Sequence, residues 1–350
     1  MLFQKPERVA VVFGGTGAEE AVSCASAADV LSCMDALAVY IARDGAWYIC
    51  SASPEAIRGG TFRSRPQALT ATCPVRLGKR RGFLTGKTVT EVDVVLPVLH
   101  GDGGEDGTVQ GTLQTVGLPF VGADTRTGAI TCDKSICKTL VQAAGIPVTP
   151  FVTWRMGDSV QAARRAIAAT FGSHPYPLFL KPTSLGSSVG VRLIESDEQL
   201  PDALASSARY GDMLIEPYLS PLRELEIGWL DGDLPIFSDV AEITSHGAFY
   251  DYNEKYIHKT AAICLPATLP ASLTEQLYAY AKALVGILGL RDLCRMDFFL
   301  TQDGTLYFNE VNTFPGFTKE SIYPRMLARM GVAYEELLGR LVASAYARRV

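Results

Sequence analysis

A two-strand hairpin near the end of the chain constrains its fold more than any other segment. Apolar runs at residues 296–300 and 305–308 flank Thr301-Gln-Asp-Gly304, a sequence typical of a hairpin turn. Folding the chain back at this turn brings Asp297 opposite the region of Glu310. The pattern therefore predicts an antiparallel strand pair with acidic side chains facing each other across it.

The same hairpin predicts a metal–nucleotide site. Glu310 and Asn312 are two positions apart, so they share one face of a strand. Together with Asp297 they bring three oxygen-bearing side chains together, and Arg295 lies close by in the sequence. Hard cations such as Mg²⁺ prefer oxygen ligands and commonly share them with phosphate groups.

Length and composition indicate an ordinary globular enzyme of two or three domains. The chain has 350 residues, 48% of them apolar and 20% charged. Its formal net charge of −5 gives no electrostatic reason to expect nucleic acid or an anionic membrane as the partner. No apolar run approaches the ~20 residues needed to span a bilayer. The amino-terminal residues lack an apolar signal core, and we expect a cytoplasmic protein.

Cysteine spacing argues against zinc sites and disulfides. The eight cysteines are scattered, form no C-x-x-C pair, and lie mostly in apolar segments. We expect buried, reduced thiols that behave as small hydrophobic side chains.

Strand-like and helix-like segments alternate along the chain, which predicts an α/β fold. The first unit has buried strands at 8–13 and 92–99, helices at 21–34 and 108–116 and a short strand at 119–122. The second unit has a helix at 133–144, strands at 176–180, 189–194 and 213–216, and a helix at 197–208. The third unit has strands at 224–230 and 234–238, a helix at 273–288, the hairpin and a closing helix at 334–348. We place the boundaries near residues 123 and 219.

A polar, aromatic segment at residues 245–260 has no clear periodicity. A loop of this length inside a compact domain is usually functional or disordered. Its three tyrosines within seven residues favour an ordered lid.

Two glycine-rich turns predict ligand contacts in the first unit. Gly14-Gly-Thr-Gly-Ala-Glu19 lacks the last glycine of a dinucleotide fingerprint, because Glu20 stands there, so we interpret it as a turn that delivers Glu19 to a cleft. Glu19 could bind an ammonium group. His100-Gly-Asp-Gly-Gly-Glu-Asp-Gly107 follows a predicted buried strand, and ligands of open α/β sheets bind at such strand ends.

The segment Lys181-Pro-Thr-Ser-Leu-Gly-Ser-Ser-Val-Gly190 is typical of a phosphate loop. Its glycines and serines offer backbone N–H groups and hydroxyls, although it is not a Walker sequence. Lys134 and Lys138, near the start of a predicted helix, are singly typical of solvated lysines.

Taken together, these motifs resemble the D-alanine–D-alanine ligase family. They follow the family's order over nearly the whole chain. The matches are Gly14-Gly-Thr-x-Ala-Glu19-x-x-Val-Ser23, His100-Gly-x-x-Gly-Glu-Asp-Gly-x-x-Gln-Gly111, Asp133-Lys134-x-x-x-Lys138, Lys181-Pro-x-x-x-Gly-Ser-Ser-Val-Gly190, Phe249-Tyr-Asp-Tyr-x-x-Lys-Tyr256, Arg295-x-Asp297, Asn309-Glu-Val-Asn-Thr313 and Pro315-Gly-Phe-Thr318.

The resemblance implies a three-domain ATP-grasp fold, with an amino-terminal parallel-sheet domain at 1–123, a central domain at 124–219 and a catalytic domain at 220–350. It also implies an ATP-dependent ligase that forms an acyl phosphate of one D-alanine and couples it to a second, as in peptidoglycan precursor synthesis. Relatives in this family are usually homodimers. The cofactors implied are ATP and two Mg²⁺ ions, for which Mn²⁺ can substitute.

The resemblance also assigns roles to residues. It implies metal ligands at Asp297, Glu310 and Asn312. It implies nucleotide contacts from Lys134, Lys181, Glu216, Leu219, Glu224, Phe249 and Lys255. For the amino-acid substrates and the reaction it implies Glu19, Ser187, Tyr256, His100, Arg295, the Gly316 N–H and Ser321.

Departures from the family pattern at Gly17 and Leu185 bear on substrate closure, and other positions bear on the identity of the second substrate. Gly17 stands where many members have serine, and Leu185 stands where some have glutamate. The tyrosine lid pattern is intact, which argues against D-lactate as the nucleophile. Ile322 after Ser321 favours an apolar pocket for D-alanine. The segment after Lys255 and the stretch 323–326 are somewhat similar to D-alanine–D-serine ligases, so that alternative stays open.

Overall fold

The computed structural model describes residues 8–186, 189–219, 222–244 and 262–348, which form three β-sheets with helices packed on them. The strands of the first sheet are β1 (Val9–Gly14), β2 (Leu37–Ile41), β3 (Trp47–Cys50), β4 (Leu69–Leu77), β5 (Arg80–Thr85), β6 (Thr88–Glu91) and β7 (Val94–Val98). They lie in the order β6-β5-β4-β3-β2-β1-β7, and β1 runs parallel to β2 and β7. The predicted parallel sheet is therefore only the β2-β1-β7 part, because β3 to β6 extend it by antiparallel pairing.

Helices cover the first sheet on both faces, which explains why β1 and β7 are apolar at every position. The helices of this part are α1 (Glu20–Cys33), α2 (Pro54–Arg58) and α3 (Thr108–Thr115). Alternate residues of β1 enter two different cores, with Val11 and Phe13 on the side of α1 and Ala10 and Val12 on the side of α3. The predicted strand at 119–122 is reduced to a single parallel bridge between Phe120 and Val95.

The second sheet has four antiparallel strands. The elements of this stretch are α4 (Thr125–Cys132), α5 (Lys134–Ala143), β8 (Val152–Trp154), α6 (Val160–Phe171), β9 (Leu178–Pro182), β10 (Arg192–Ile194), α7 (Leu200–Ser207) and β11 (Met213–Pro217). The strand order is β10-β9-β11-β8, and α6 and α7 pack on the sheet. The Asp133 side chain accepts hydrogen bonds from Ser135 N (2.8 Å) and Ile136 N (3.0 Å), which fixes the start of α5.

The third sheet contains the predicted hairpin. The remaining elements are β12 (Leu222–Leu230), β13 (Ile236–Phe237), β14 (Ala241–Thr244), β15 (Ala262–Cys264), α8 (Ala271–Leu288), β16 (Leu293–Thr301), β17 (Leu306–Asn312), α9 (Ile322–Arg329) and α10 (Tyr334–Ala347). The strand order is β15-β14-β12-β16-β17, with β13 paired to β12. Both α8 and α5 pack against this sheet, where Leu284 and Val141 share one core.

The end of the chain returns to the first sheet. Leu341 of α10 and Tyr323 of α9 pack in the same core as Phe13 of β1. Asp292, fully buried just before β16, accepts a hydrogen bond from Gly122 N (2.6 Å) and pairs with Arg348 beyond α10. This packing fixes the first sheet against the third, so loops from both can form one site.

All eight cysteines are free thiols, as expected, but only Cys24, Cys50, Cys137 and Cys294 are buried. Cys73 on β4 and Cys264 on the edge strand β15 are exposed. Within the described ranges, no helix is both long and apolar enough to cross a bilayer.

Candidate functional site

The carboxyl end of β17 faces β16 in the predicted register. Asp297 is the direct cross-strand partner of Glu310, and Arg295 is the partner of Asn312. The prediction that the hairpin brings Asp297 opposite Glu310 is confirmed. The ligand set predicted from the hairpin is thus brought together on two adjacent strands.

A β-bulge makes this arrangement possible. Leu306 and Phe308 enter the core under the sheet, and strict alternation would send Glu310 after them. The pairing shifts between Asp297 and Phe298, so that Asn309 is an extra residue in β17. Beyond the bulge Val311 takes the core position, and Glu310 faces the site. Bulges next to active sites commonly re-aim a side chain in this way.

Two cationic side chains balance these acids. Arg295 donates to Asp297 from Nε to Oδ1 (2.8 Å) and from Nη2 to Oδ2 (2.7 Å). Asn312 Nδ2 also donates to Asp297 Oδ2 (3.1 Å), and Lys134 Nζ lies 3.6 Å from Glu310 Oε2. Burial lowers the pKa of Arg295, but the neighbouring carboxylates outweigh it and raise that pKa well above its usual value. Arg295 is therefore always charged in this site.

A third carboxylate joins the set, and the sequence analysis did not include it. Glu226 of β12 is the cross-strand partner of Asp297 on the other side of β16, and it is 6% exposed. Its Oε2 lies 3.2 Å from Arg295 Nε. The signal that could have found it is the alternation Glu224-Leu-Glu226, which puts two acids on one face of a strand.

A buried triad of charges lies in the second sheet. The Glu216 carboxylate, 1% exposed, accepts hydrogen bonds from Lys138 Nζ and from Lys181 Nζ, the latter at 2.6 Å. Burial raises the pKa of Glu216, but the two ammonium groups outweigh it and lower the pKa to about 2. Burial lowers the pKa of Lys138. The expectation of a solvated lysine at 138 is wrong, because this side chain is 1% exposed and supports Glu216.

Lys134 contacts the glycine–serine segment that follows β9, and Lys181 lies in β9 itself. Lys134 Nζ donates to Leu185 O (2.7 Å), and Lys134 N donates to Thr183 O (2.8 Å). Lys181 Nζ lies over the rings of Phe179 and Phe299, at 5.5 and 5.8 Å from their centroids. These lysines thus connect the second sheet to the third at the position where the sequence predicts phosphate binding.

Glu19 lies against two of the glycine-rich segments. A Cβ on Gly101, where φ is +64°, would lie 1.9 Å from Glu19 Oε2, so only glycine allows the carboxylate this place. A Cβ on Gly186 would lie 3.5 Å from the same oxygen. At Gly17 a Cβ would lie 2.9 Å from the Asp102 carbonyl oxygen, which is a steric reason for its departure from serine. The three predicted motifs that contain Glu19, Gly101 and Gly186 therefore meet.

His100 is deeply buried and held by the protein at both ring nitrogens. Nδ1 lies 3.0 Å from Phe314 O, and Nε2 lies 3.2 Å from Ser26 Oγ. Burial lowers the pKa of His100, although Glu19 and the Phe314 carbonyl act in the opposite direction. The neutral ring therefore links the loop after β7 to the loop after β17.

Glu105 makes a second link between the same two loops. Its Oε2 accepts from Gly101 N (3.0 Å), and its Oε1 accepts from Phe314 N (2.9 Å). Thr313 Oγ1 also donates to Oε1, at 3.4 Å. Burial raises the pKa of Glu105 to about 7. Sequence analysis treated Glu105 only as part of a motif, because its partners are remote in the chain.

The turn before α9 carries the predicted Ser321. Its Oγ accepts from Thr318 N (3.1 Å) and lies 2.7 Å from Thr318 Oγ1. A Cβ on Gly316 would lie 3.3 Å from this Oγ, so Gly316 and Ser321 are close neighbours. Ile322, the first residue of α9, is half-buried.

The other predicted residues lie at the margin of the site or outside the described residues. Leu219 follows β11 and is half-buried, and Glu224 on β12 is the cross-strand partner of Phe299. Four of them belong to the segments 187–188 and 245–261 that are not described. These are Ser187, Phe249, Lys255 and Tyr256.

The chain thus has three sheets, with lysines, paired acids and a glycine–serine loop on the second and third of them. This fold and site define an ATP-grasp enzyme. The sequence profile described as "D-ala D-ala ligase N-terminus" matches residues 8–123, and "D-ala D-ala ligase C-terminus" matches residues 140–343. The chain belongs to the D-alanine–D-alanine ligase family.

Similar proteins cover the whole chain. The D-alanine–D-alanine ligase of Streptomyces griseus is 39% identical over 370 residues, which cover 99% of this chain and 94% of that protein. The D-alanine–D-alanine ligase of Chlorobium phaeovibrioides is 36% identical over 352 residues, covering 97% and 96% respectively.

Solved structures are similar over the same length. The VanG D-Ala:D-Ser ligase from Enterococcus faecalis has a TM-score of 0.87 at 34% identity, covering 98% of this chain and 100% of that one. The D-alanine–D-alanine ligase from Coxiella burnetii has a TM-score of 0.85 at 26% identity, covering 99% and 95%. The ATP-grasp fold and the ligase class of this enzyme are therefore established.

Proposed function

We propose that this protein uses ATP to join two D-alanine molecules into D-alanyl-D-alanine for peptidoglycan precursor synthesis. The observation that carries the proposal is the register pair Asp297 and Glu310, with Arg295 and Lys134 on their oxygens. The ligase relatives, similar over their whole length, support the choice of substrates.

The reaction proposed has two steps. A carboxylate oxygen of the first D-alanine attacks the γ-phosphorus of ATP, the bond to ADP breaks, and an acyl phosphate forms. The amine of the second D-alanine then attacks the carbonyl carbon, loses a proton, and phosphate leaves with the former carboxylate oxygen. The protein contributes positioning and charge neutralisation, as in phosphoryl transfer generally.

Magnesium fits the paired acids. Asp297, Glu310 and Asn312 supply the oxygen donors that this ion prefers, and the ammonium of Lys134 near Glu310 indicates that these oxygens accept positive charge. We infer that they hold two Mg²⁺ ions, for which Mn²⁺ can substitute. When bound, the ions neutralise charge on the phosphate groups.

We infer that the nucleotide lies between the second and third sheets. Lys134 and Lys181 would contact the phosphates, and Glu216, together with Glu224, would hold the adenine and ribose. The triad with Lys138 and Lys181 supports this role, because it fixes Glu216 in one conformation. The other inferred nucleotide contacts are Leu219, Phe249 and Lys255.

We infer that the first D-alanine binds near Glu19, which would accept its ammonium group with help from Ser187 and Tyr256. His100 would lie near its carboxylate and support the Phe314 backbone. Arg295 and the Gly316 N–H would stabilise the oxyanion of the tetrahedral intermediate. One such donor lowers the activation free energy by about 3–4 kcal/mol. The second substrate's carboxylate would contact Ser321.

We further infer three domains with the ranges 1–123, 124–219 and 220–350, each containing one of the three sheets. The lid would be residues 245–260. A cytoplasmic homodimer agrees with the family resemblance, and sedimentation of the purified protein tests the dimer.

A D-alanine–D-serine ligase is the second candidate. The similarity to the VanG ligase, with a TM-score of 0.87, favours it, whereas the apolar Ile322 beside Ser321 favours D-alanine. Incubation with ATP, Mg²⁺ and equal amounts of D-alanine and D-serine separates the two. We expect D-Ala-D-Ala as the main product by mass, and a main product of D-Ala-D-Ser would establish the second candidate.

The proposal as a whole is tested by D-alanine-dependent release of ADP. We expect one dipeptide for each ADP, and no release when L-alanine replaces D-alanine. ATP binding without ADP release or dipeptide would contradict the proposed function and indicate a nucleotide-binding protein without turnover.

A further inference from the structure

Both oxygens of the Asp297 carboxylate accept hydrogen bonds from the protein. Arg295 donates to both of its oxygens, at 2.8 and 2.7 Å, and Asn312 donates to Oδ2 at 3.1 Å. A guanidinium that holds both oxygens competes with a divalent cation for the same lone pairs and repels it. The carboxylate has about four lone-pair sites, so these three donors leave one, next to the positive guanidinium. Release of at least one oxygen by Arg295 would therefore favour magnesium binding at Asp297.

A second acceptor for Arg295 is already within reach. Glu226 Oε2 lies 3.2 Å from Arg295 Nε, so the guanidinium is shared between two carboxylates. Gly228 is the cross-strand partner of Arg295 and has no side chain, which leaves the long arginine free to reach the next pair of residues along the sheet. That next pair is Asp297 and Glu226.

Charge and burial favour such a transfer. Glu226, Asp297 and Glu310 lie side by side on three neighbouring strands, and like charges at directly opposed positions destabilise a sheet. Arg295 and Lys134 are the cations in contact with these acids among the described residues. Glu226 is 6% exposed, and attraction between a carboxylate and a cation is stronger at a buried position than at the surface. A cation bound by Asp297 and Glu310 would replace the positive charge that leaves Asp297 when Arg295 moves to Glu226.

We propose that Glu226 is a positioning residue that receives Arg295 when the Asp297 carboxylate turns to magnesium. The transfer leaves the guanidinium beside the metal site and directed at the reacting carbonyl group. It rests on the proposed function, because it requires the metal site at Asp297 and Glu310. Glu226 itself contacts neither substrate nor metal in this scheme.

A double-mutant cycle on the full-length protein tests the transfer. Mn²⁺ binding is measured by titration calorimetry with a non-hydrolysable ATP analogue present, for the parent, Glu226→Gln, Arg295→Met and the double variant. We expect Glu226→Gln to weaken Mn²⁺ binding about fivefold or more when Arg295 is present, and less than about twofold in the Arg295→Met background. Equal weakening in both backgrounds would overturn the proposal, because it would indicate simple attraction between Glu226 and the cation.

Steady-state kinetics give a second readout. We expect Glu226→Gln to lower kcat about tenfold with KM for ATP changed less than about twofold, and Glu226→Asp to recover part of the loss. Glu242→Gln is the matched control, because Glu242 pairs with Arg223 on the same sheet away from the site, and it should behave like the parent. Thermal melting of each variant checks that it folds, and the cycle uses the folded variants.

The possible failures are distinguishable. A parent that binds Mn²⁺ and makes dipeptide, together with a Glu226→Gln variant that matches it in both assays, would reject this inference and leave the proposed function intact. A parent that does not bind Mn²⁺ with the nucleotide analogue would reject the proposed metal site and this inference with it.

Discussion

The two halves of the candidate site are built in different ways. In the third sheet, Asp297, Glu310 and Glu226 are fixed by strand pairing, and each stands directly opposite another. In the first sheet, Glu19, His100 and Glu105 lie at a helix start or in a glycine-rich loop, and they are held by contacts to other segments. Strands hold side chains at fixed spacing, whereas loops depend on their partners for their conformation.

This difference predicts how each half responds to mutation. A change among the strand-borne acids should remove a charge and leave the geometry of its neighbours in place. A change among the loop residues should alter geometry at a distance, because His100 and Glu105 both hold the backbone of Phe314.

Glu310→Gln tests the strand-borne half and should have the largest effect. The substitution keeps size and register but removes the negative charge that the proposed metal ions need. We expect kcat to fall on the order of 10³-fold, with nucleotide affinity changed less than about threefold. Activity is measured by ADP release, and nucleotide affinity by calorimetry without metal.

The matched control for this prediction is Glu336→Gln, which removes a surface glutamate paired with Arg340. It should leave kcat unchanged. Equal activity of Glu310→Gln and the parent would remove Glu310 from the proposed metal site.

Glu216→Gln should have the largest effect on stability. It leaves Lys138 and Lys181 without the carboxylate that both contact, and breaking a buried ion pair in this way costs about 3–5 kcal/mol of unfolding free energy. Urea unfolding at pH 7 measures the loss. Glu242→Gln, in a partly exposed pair with Arg223, should cost less than about 1 kcal/mol.

The pH dependence of stability checks the same triad. Because the pKa of Glu216 is lowered to about 2, the stability that it contributes is present above its ordinary value of 4.5 and is lost as the pH falls toward 2. The difference in stability between parent and Glu216→Gln should therefore shrink between pH 4.5 and 2. A difference that stays constant over this range would contradict the ionised state of Glu216.

Glu105→Gln tests the loop-borne half. The amide can accept only one of the two backbone hydrogen bonds without a clash of N–H groups, so the loop with Phe314 and Gly316 should shift. We expect kcat to fall about 10–100-fold through misplacement of the Gly316 N–H, although Glu105 touches neither ATP nor metal in our account. Asp106→Asn is the control, because Asp106 accepts hydrogen bonds from its own loop, at Gly103 N and Thr108 N. A similar loss in both variants would indicate a local loop effect without the link to Phe314.

Glu105 also has a pH signature. Its pKa is raised to about 7, so its contribution to stability is fully present below 4.5 and is lost as the pH rises through 7. The melting temperature of the parent should therefore fall more steeply between pH 5 and 8 than that of Glu105→Gln. Parallel melting profiles would contradict the raised pKa.

Lys255→Ala should have the smallest effect on stability. The proposed lid would contribute little to the core, so we expect a change in unfolding free energy below about 0.5 kcal/mol. KM for ATP should nevertheless rise, because the lysine is proposed to close over the phosphates. A large drop in melting temperature would show that residue 255 belongs to the packed structure.

Sequence reasoning reached Asp297 and Glu310 of the strand-borne half because their signals are local. The turn at 301–304 and the apolar runs beside it determine the pairing of Asp297 with Glu310. The bulge at Asn309 was not predicted, since a two-residue period alone would have sent Glu310 into the core. The antiparallel strands β3 to β6 were also missed, because most of their residues are half-buried or exposed and their alternation is weak.

The links that complete the site could not be predicted. Glu105 and Phe314 are 209 residues apart in the chain. The Lys138–Glu216 pair joins α5, which packs on the third sheet, to β11 of the second sheet. Such contacts follow from how the sheets pack, which no local pattern encodes. The family resemblance supplied the order of the motifs and the roles of their residues, but not the support that His100, Glu105 and Glu226 give to them.

The central claim is that the first D-alanine, held by the loop-borne half, is phosphorylated by ATP held by the strand-borne half. Transfer of oxygen tests it most directly. With D-alanine labelled with ¹⁸O in its carboxylate, we predict that the phosphate released carries one ¹⁸O for each dipeptide formed, because the acyl phosphate loses its bridging oxygen to phosphate. Unlabelled phosphate alongside ADP would contradict the account, since it would mean that the two halves do not meet on one substrate.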